Sequence, residues 1–320
     1  MKAIEVSSLS KTFDHLIAVD HISFEVEEGE IFGFLGANGA GKTTTIMMLA
    51  TAINPSSGRA TVRGHDIIQD KDEVRKSIGI VFEEMSLDVR LTARENLDFH
   101  ARMYHLDKKS RKKRVSDVLG LLGLKSKQDM LVEHYSGGMQ RRLEVARGML
   151  NYPQVLFLDE PTLGLDVQTR RMLWNYAKKL NRESGTTILL TTHYVEEADY
   201  LCDRVAILDQ GKIVVVDTPE GLKSSLGGSL LSIMLSQEAF AKDMAKLLEG
   251  VSWVRGVSQR GSWLDLSVEA GGTRIPEIVK LAKEHGFAVS SVSQHKPSLE
   301  DAFLHYAGKK LTGDENWKIS

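Results

Sequence analysis

The chain has 320 residues, 42% of them hydrophobic and 26% charged, enough for one large or two ordinary domains with buried cores. A formal net charge of −2 gives no global pull toward nucleic acid or an anionic membrane, and a single cysteine, Cys202, excludes an intrachain disulfide. The opening MKAIEVSSLSK lacks the apolar core of a secretory leader, and runs such as TTILLTT fall far short of the ~20 residues that cross a bilayer, so a soluble chain is expected that reaches a membrane only through a partner.

Residues 1–35 read as strands: AIEV alternates weakly, HISFEVEEG alternates well, and EIFGFLG is an apolar run ending in glycine. GRATVRGHDI reads as a hairpin, and from about Thr92 to Leu122 the pattern turns helical and more charged. A repeated scheme follows: the strand VLFLDE, a helix from Val167 to Leu180, the strand TTILLTTH, a short helix, and VAILDQGKIVVVDT. Strand alternating with helix predicts a parallel sheet with helices packed on it, and the unbroken apolar runs fit strands covered on both faces. Composition shifts at GLKSSLGGSL, so residues 221–229 are expected as a linker. Beyond it LLSIML, QEAFAKDMAKLLEG, two strands around an Arg-Gly turn, RIPEIVKLAKEHG and AVSSVSQ give β-α-β-β-α-β, a ferredoxin-like order. SLEDAFLHYAG adds a last helix with Ser298 as its N-cap, and residues 309–320 read as a tail.

Chemistry concentrates in a few short stretches. GANGAGKT, Gly36 to Thr43, fits G-x-x-x-x-G-K-[ST] between a strand and a helix, the context that motif requires. Asn38, Gly39, Ala40, Gly41, Lys42, Thr43 and Thr44 form the expected phosphate cradle, with Lys42 as the point charge and the Thr43 hydroxyl as a Mg²⁺ ligand. VLFLDEP puts Asp159 and Glu160 at a strand end, the first to hold the Mg²⁺ shell and the second to orient an attacking water. His193 ends the next strand on the same sheet edge, within reach of a γ-phosphate, and Phe13 is placed to stack on a base. YSGGMQRR opens a second anion-facing helix end, with Met139, Leu143, Ala146 and Leu150 at helical spacing behind Ser136. The run KKSRKKR, Lys108 to Arg114, has no interleaved aromatics and reads as a solvated helix face.

With the phosphate loop, YSGGMQRR, LFLDE, LGLD and TTH in that order, residues 1–220 resemble an ATP-binding cassette (ABC) ATPase. The resemblance implies a P-loop α/β fold: a RecA-like core, an antiparallel β subdomain, and a helical subdomain at about residues 84–150 that docks on membrane partners. It implies ATP and Mg²⁺ as cofactors and a homodimer in the ATP-bound state, in which Ser136, Gly137, Gly138 and the flanking Met139 bind the γ-phosphate of ATP held by a second subunit. Phe13 with Val19 matches the adenine-stacking position, Leu163 to Asp166 the loop that communicates across the dimer, and His193 the switch histidine. Catalysis falls to Glu160, His193 and Lys42, and metal binding to Thr43, Glu83 and Asp159. Two departures stand out. Tyr135 and Met139 replace the ends of the usual Leu-Ser-Gly-Gly-Gln, and Glu83 occupies the usual glutamine position, where it either ligates Mg²⁺ or swings out or holds a proton.

The small α+β unit at 230–308, ending in PSLEDAFLHYAG, looks like that of daunorubicin-resistance-type (ABC-2) exporter ATPases. The implied function is ATP hydrolysis that energises efflux through separate transmembrane permease subunits, from the cytoplasmic face of the membrane and without nucleic acid. Two alternatives stand beside it. A soluble ABC ATPase acting on nucleic acid or ribosomes usually carries two cassettes or a long coiled-coil insertion, and neither is present in this sequence. A regulatory nucleotide-binding module is opposed by Glu160 and His193 and kept open by Glu83.

Overall fold

The structure, a computed structural model, describes residues 1–226, 229–268 and 271–307, and the tail expected at 309–320 lies outside them. The chain divides into two compact units, Met1–Thr218 and Pro219–Ser320. Among the described residues no helix is long and apolar enough to cross a membrane.

The first unit opens with β1 (Lys2–Phe13), β2 (Leu16–Glu27), β3 (Ile31–Leu35), α1 (Lys42–Leu49), β4 (Ser57–Val62) and β5 (His65–Asp66). It continues with α2 (Lys71–Ser77), β6 (Ile78–Val81), α3 (Ala93–Met103), α4 (Lys108–Leu121) and α5 (Gly137–Gly148). It closes with β7 (Val155–Asp159), α6 (Val167–Ser184), β8 (Thr187–Thr192), α7 (Val195–Leu201), β9 (Arg204–Asp209) and β10 (Lys212–Asp217). Two sheets result. One is antiparallel, in the order β2-β1-β4-β5; the other runs β10-β9-β3-β8-β7-β6, parallel except for the β9–β10 hairpin. Strands β3, β7 and β8 are buried along their whole length, as unbroken apolar runs require. Phe24 on β2 joins the sheets: its ring stacks on Phe32 at 5.5 Å and meets Phe34 edge-on at 5.1 Å.

Helix α3 starts where the pattern turned helical, because Thr92 and Glu95 form a reciprocal capping box. Asp107 caps α4 by accepting from Lys109 N and Ser110 N.

The second unit contains α8 (Pro219–Ser225), β11 (Ser229–Leu235), α9 (Ala241–Glu249), β12 (Val254–Arg260), β13 (Trp263–Val268), α10 (Gly271–Glu284), β14 (Val289–His295) and α11 (Leu299–Ala307). Its antiparallel sheet runs β12-β13-β11-β14, the ferredoxin-like order. Leu231, Ile233 and Leu235 on β11 pack with Leu264 and Leu266 on β13 and with Met244, Leu248 and Ile278 from α9 and α10. Part of the expected linker is helical. Proline opens α8 with its φ already set, and Leu222 is fully buried, so the segment is held by packing despite its glycines and serines. Residues 227 and 228 of that stretch lie outside the described residues. The Ser298 hydroxyl accepts from Asp301 N at 3.1 Å, the expected N-cap of α11.

Candidate active site

Three strand ends place the site. In the parallel sheet Leu35 of β3 lies opposite Thr192 of β8, and Asp159 of β7 opposite Thr191. The residues that follow, Gly36, Glu160 and His193, therefore leave the sheet along one edge, where open parallel sheets bind ligands. Hydrogen bonds reinforce the register: Gly36 N donates to Thr192 O at 3.4 Å, and Glu160 N to Thr191 O at 3.2 Å and Thr191 Oγ1 at 3.0 Å.

The loop from Gly36 to Gly41 turns back to start α1, with Gly39 at φ +82° and Gly41 at φ +95°. A Cβ at Gly41 would collide with the Ala18 carbonyl, and one at Gly36 would fall 2.6 Å from Leu208 O. Glycine is thus required at Gly41 by conformation and by space. Val19, buried on β2, reaches the same loop, and its Cγ2 lies 3.3 Å from where that Gly41 Cβ would sit. Phe13 at the end of β1 is 45% exposed, with Lys11 Nζ over its ring at 4.9 Å from the centroid.

Lys42 Nζ donates to Gly36 O at 2.8 Å and to Ala37 O at 3.2 Å, and stands 3.2 Å from Glu160 Oε1. His193 Nδ1 is 2.8 Å from Glu160 Oε2. The Glu160 backbone is left-handed, φ +45°, an unfavourable conformation for a non-glycine residue that turns its side chain into this cluster. Asp159 is fully buried. Its Oδ1 accepts from Thr43 Oγ1 at 3.0 Å and from Thr191 Oγ1 at 2.6 Å, while its buried Oδ2 has no hydrogen-bond partner. Burial pushes the Asp159 carboxyl up from its ordinary value; the two threonine hydroxyls and Lys42 oppose that, and the neighbouring Glu160 charge adds to it.

A buried, unpartnered carboxylate oxygen beside a hydroxyl fits a small hard cation that takes one or two protein oxygens and completes its shell with phosphates and water. Thr43 and Asp159 are therefore brought together as expected. Glu83, at the turn after β6, is exposed, and its carboxylate makes no hydrogen bond or ion pair with a described residue.

The second anion-facing helix end is also present. Ser136 caps α5, its Oγ accepting from Met139 N at 3.3 Å; Ser136 and Gly137 are exposed, and a Cβ at Gly137 would meet nothing within 4 Å. Gly138 packs against Thr169, whose Cγ2 lies 3.2 Å from where its Cβ would sit. Tyr135 is buried and its hydroxyl donates to Lys127 O at 2.8 Å, so the aromatic ring serves as an anchor for the turn into α5. Asp166 caps α6: its carboxylate accepts from Thr169 N at 2.9 Å and Thr169 Oγ1 at 2.7 Å.

Sequence reasoning missed three contributors. Thr191 orients both Asp159 and Glu160. Glu197, fully buried on α7, accepts from Thr162 Oγ1 at 2.9 Å and Trp174 Nε1 at 2.7 Å, and burial pushes its carboxyl up. Arg141, in the second turn of α5, is 2% exposed and bonds only to backbone carbonyls. A signal existed for Arg141: it shares a helix face with Val145 and Gly148, and a glycine there marks close packing.

A family model described as ABC transporter matches residues 19–163, and one described as ATP-binding protein DrrA1-3-like, C-terminal domain, matches residues 218–307. The daunorubicin resistance ATP-binding protein DrrA2 of Streptomyces coeruleorubidus is 36% identical over 314 residues, 98% of this chain and 97% of that protein. The Nod factor export ATP-binding protein I of Rhizobium sp. (strain N33) is 36% identical over 97% of this chain and 98% of that protein. Among solved structures, the dimeric post-hydrolysis state of the ATP-binding cassette MJ0796 bound to ADP and Pi covers 67% of this chain and 98% of its own, with a TM-score of 0.63 and 26% identity. A phosphate loop, an acidic strand end and a histidine converging on one sheet edge, together with relatives matching nearly end to end, place the chain in the DrrA-like family of ABC transporter ATP-binding proteins, the ATPase subunits of exporters.

Proposed function

We propose that two copies of this chain bind two ATP molecules head to tail, each held between Lys42 and the phosphate loop of one copy and Ser136–Gly138 of the other, and that closing and reopening of this pair drives separate permease subunits at the inner face of the membrane. The observation that carries the reading is the Glu160 carboxylate, flanked by Lys42 at 3.2 Å and His193 at 2.8 Å beside Asp159 and Thr43. An exposed serine-glycine helix end with nothing near Gly137 supports a partner-borne phosphate as its ligand.

In this reading Glu160 orients and polarises the attacking water, Lys42 takes up charge on the transferred phosphoryl group, and His193 holds both Glu160 and the γ-phosphate. Phe13 and Val19 receive the base, and Asp166 keeps the start of α6 in place beside Gly138. Thr43 and Asp159, with Glu83 reaching in, would hold Mg²⁺, which supplies positive charge that neutralises the phosphate oxygens. Met85, Val89, Phe99 and Met103 are large, exposed and apolar within the helical subdomain, the kind of surface that fits a membrane subunit. Relatives equally similar to this chain carry daunorubicin resistance in one case and Nod factor export in the other, which supports assigning cargo choice to the permease.

The test is Glu160→Gln. Losing the carboxylate should slow hydrolysis about a hundredfold or more while sparing ATP binding, so a dimer should accumulate in MgATP. A variant that stays monomeric on sizing at millimolar ATP would sink the sandwich.

A further inference from the structure

We propose that Arg141 is a positioning residue that couples the two ATP sites of the dimer, because from the helix that carries Ser136–Gly138 it fixes the backbone of Asp159 and Glu160. The proposal rests on the head-to-tail reading above. In that arrangement the first turn of α5 meets the partner's nucleotide, whereas Glu160 acts on the nucleotide of its own chain.

Arg141 reaches two separate segments. Its Nη2 donates to Asp159 O and Glu160 O, both at 2.8 Å, and its Nε to Pro161 O at 2.9 Å. Its Nη1 donates to Phe82 O at 2.6 Å and Glu83 O at 3.1 Å. Every one of these acceptors is a main-chain carbonyl. A buried guanidinium without a carboxylate partner is costly, and an apolar side chain would fill the same space at less cost. The charge is therefore explained by what its fork of donors holds.

The helix cannot slide independently of these segments. A Cβ at Gly79 on β6 would collide with the Gly148 carbonyl, and one at Gly148 would fall 2.8 Å from Val81 Cγ2, so α5 and β6 touch backbone to backbone. One turn beyond Arg141, buried Glu144 accepts from Ser86 N and, at 3.1 Å, from Ser86 Oγ, and pairs with Arg147 at 2.6 Å. Helix α5, residues 82–86 and the end of β7 are thereby tied into one body. Arg141 sits four residues past Gly137, about 6 Å along the axis at 1.5 Å per residue. A shift of the exposed first turn is thus passed to the Glu160 carbonyl with little room for loss, and misplacement of a reacting group by about 1 Å is enough to cost a hundredfold in rate.

The experiment measures ATPase rate against MgATP concentration for the full chain and for Arg141→Lys and Arg141→Gln, with melting temperature and the affinity of a fluorescent ATP analogue measured alongside. A lysine concentrates its donors on one nitrogen and cannot span both segments, so it should not rescue. We expect a wild-type Hill coefficient above one that falls toward one in both variants, kcat lower by about tenfold or more, and analogue affinity within about twofold. Variants that keep wild-type kcat and cooperativity overturn the proposal. So do variants in which affinity, rate and melting temperature fall together with cooperativity intact, since that is a structural role. If neither variant folds, Glu144→Ala removes the acceptor of both Ser86 donors while leaving Arg141 in place, and the same but smaller loss of cooperativity is expected; full cooperativity there also overturns it. Failure of the dimer reading shows separately, as a Glu160→Gln chain that never dimerises.

Discussion

Glu160 is gripped from two directions, Lys42 at the start of α1 at one oxygen and His193 after β8 at the other. Glu83 has no such grip on its side chain, but its carbonyl is pinned by Arg141. In the proposed reading its carboxylate would share Mg²⁺ with Asp159. A like charge at ~5 Å costs on the order of 3 kcal/mol at an effective dielectric near 20, which a shared cation offsets. Glu83→Gln should therefore raise the Mg²⁺ concentration for half-maximal ATPase by a few-fold; an unchanged requirement would leave Glu83 as a contact for the permease. The phosphate loop, Asp159, Glu160 and His193 were legible in the sequence because their spacing is dictated by local backbone geometry around a strand end. Arg141 offered only the face it shares with Val145 and Gly148, since a basic residue in a charged helix reads as solvated, and its burial depends on carbonyls from residues 82–83 and 159–161. The Tyr135 departure was visible, but its reason, a hydroxyl anchored on Lys127 O, needed the tertiary structure.

Among the elements, the parallel strands were legible as apolar runs, whereas β1 extends far beyond AIEV to Phe13. Register shifts along its pairing with β2, and Ser8 at φ +47°, break the alternation that a strand reading relies on. Helix α8 hid for a similar reason: one buried leucine decides a segment otherwise rich in turn residues. Packing between elements is also close where β3 meets the end of α7. A Cβ on Gly33 would fall 2.5 Å from Cys202 Sγ, in the strand that leads directly into the phosphate loop. Gly33→Ala should cost about 1–3 kcal/mol through overpacking and lower the melting temperature by several degrees, and Cys202→Ala in the same chain should recover part of the loss. A single variant that melts with wild type would show that the sheet yields there without strain.

On the scale of the whole molecule, each unit encloses its own hydrophobic core, and every residue of the phosphate site belongs to Met1–Thr218. A chain ending at Thr218 should fold and bind a fluorescent ATP analogue within a few-fold of the full-length affinity. Loss of binding in a truncated chain with a cooperative melt would mean that the two units act as one.

That same division has an optical consequence. The sequence has four tryptophans, at positions 174, 253, 263 and 317, so truncation after Thr218 leaves Trp174 alone. Its indole nitrogen donates to Glu197, which also accepts from Thr162, two residues beyond Glu160. The shortened chain is a single-tryptophan protein whose indole is wired by two hydrogen bonds to the loop that follows Glu160. Its emission colour and quenching would follow nucleotide turnover in real time without any attached dye.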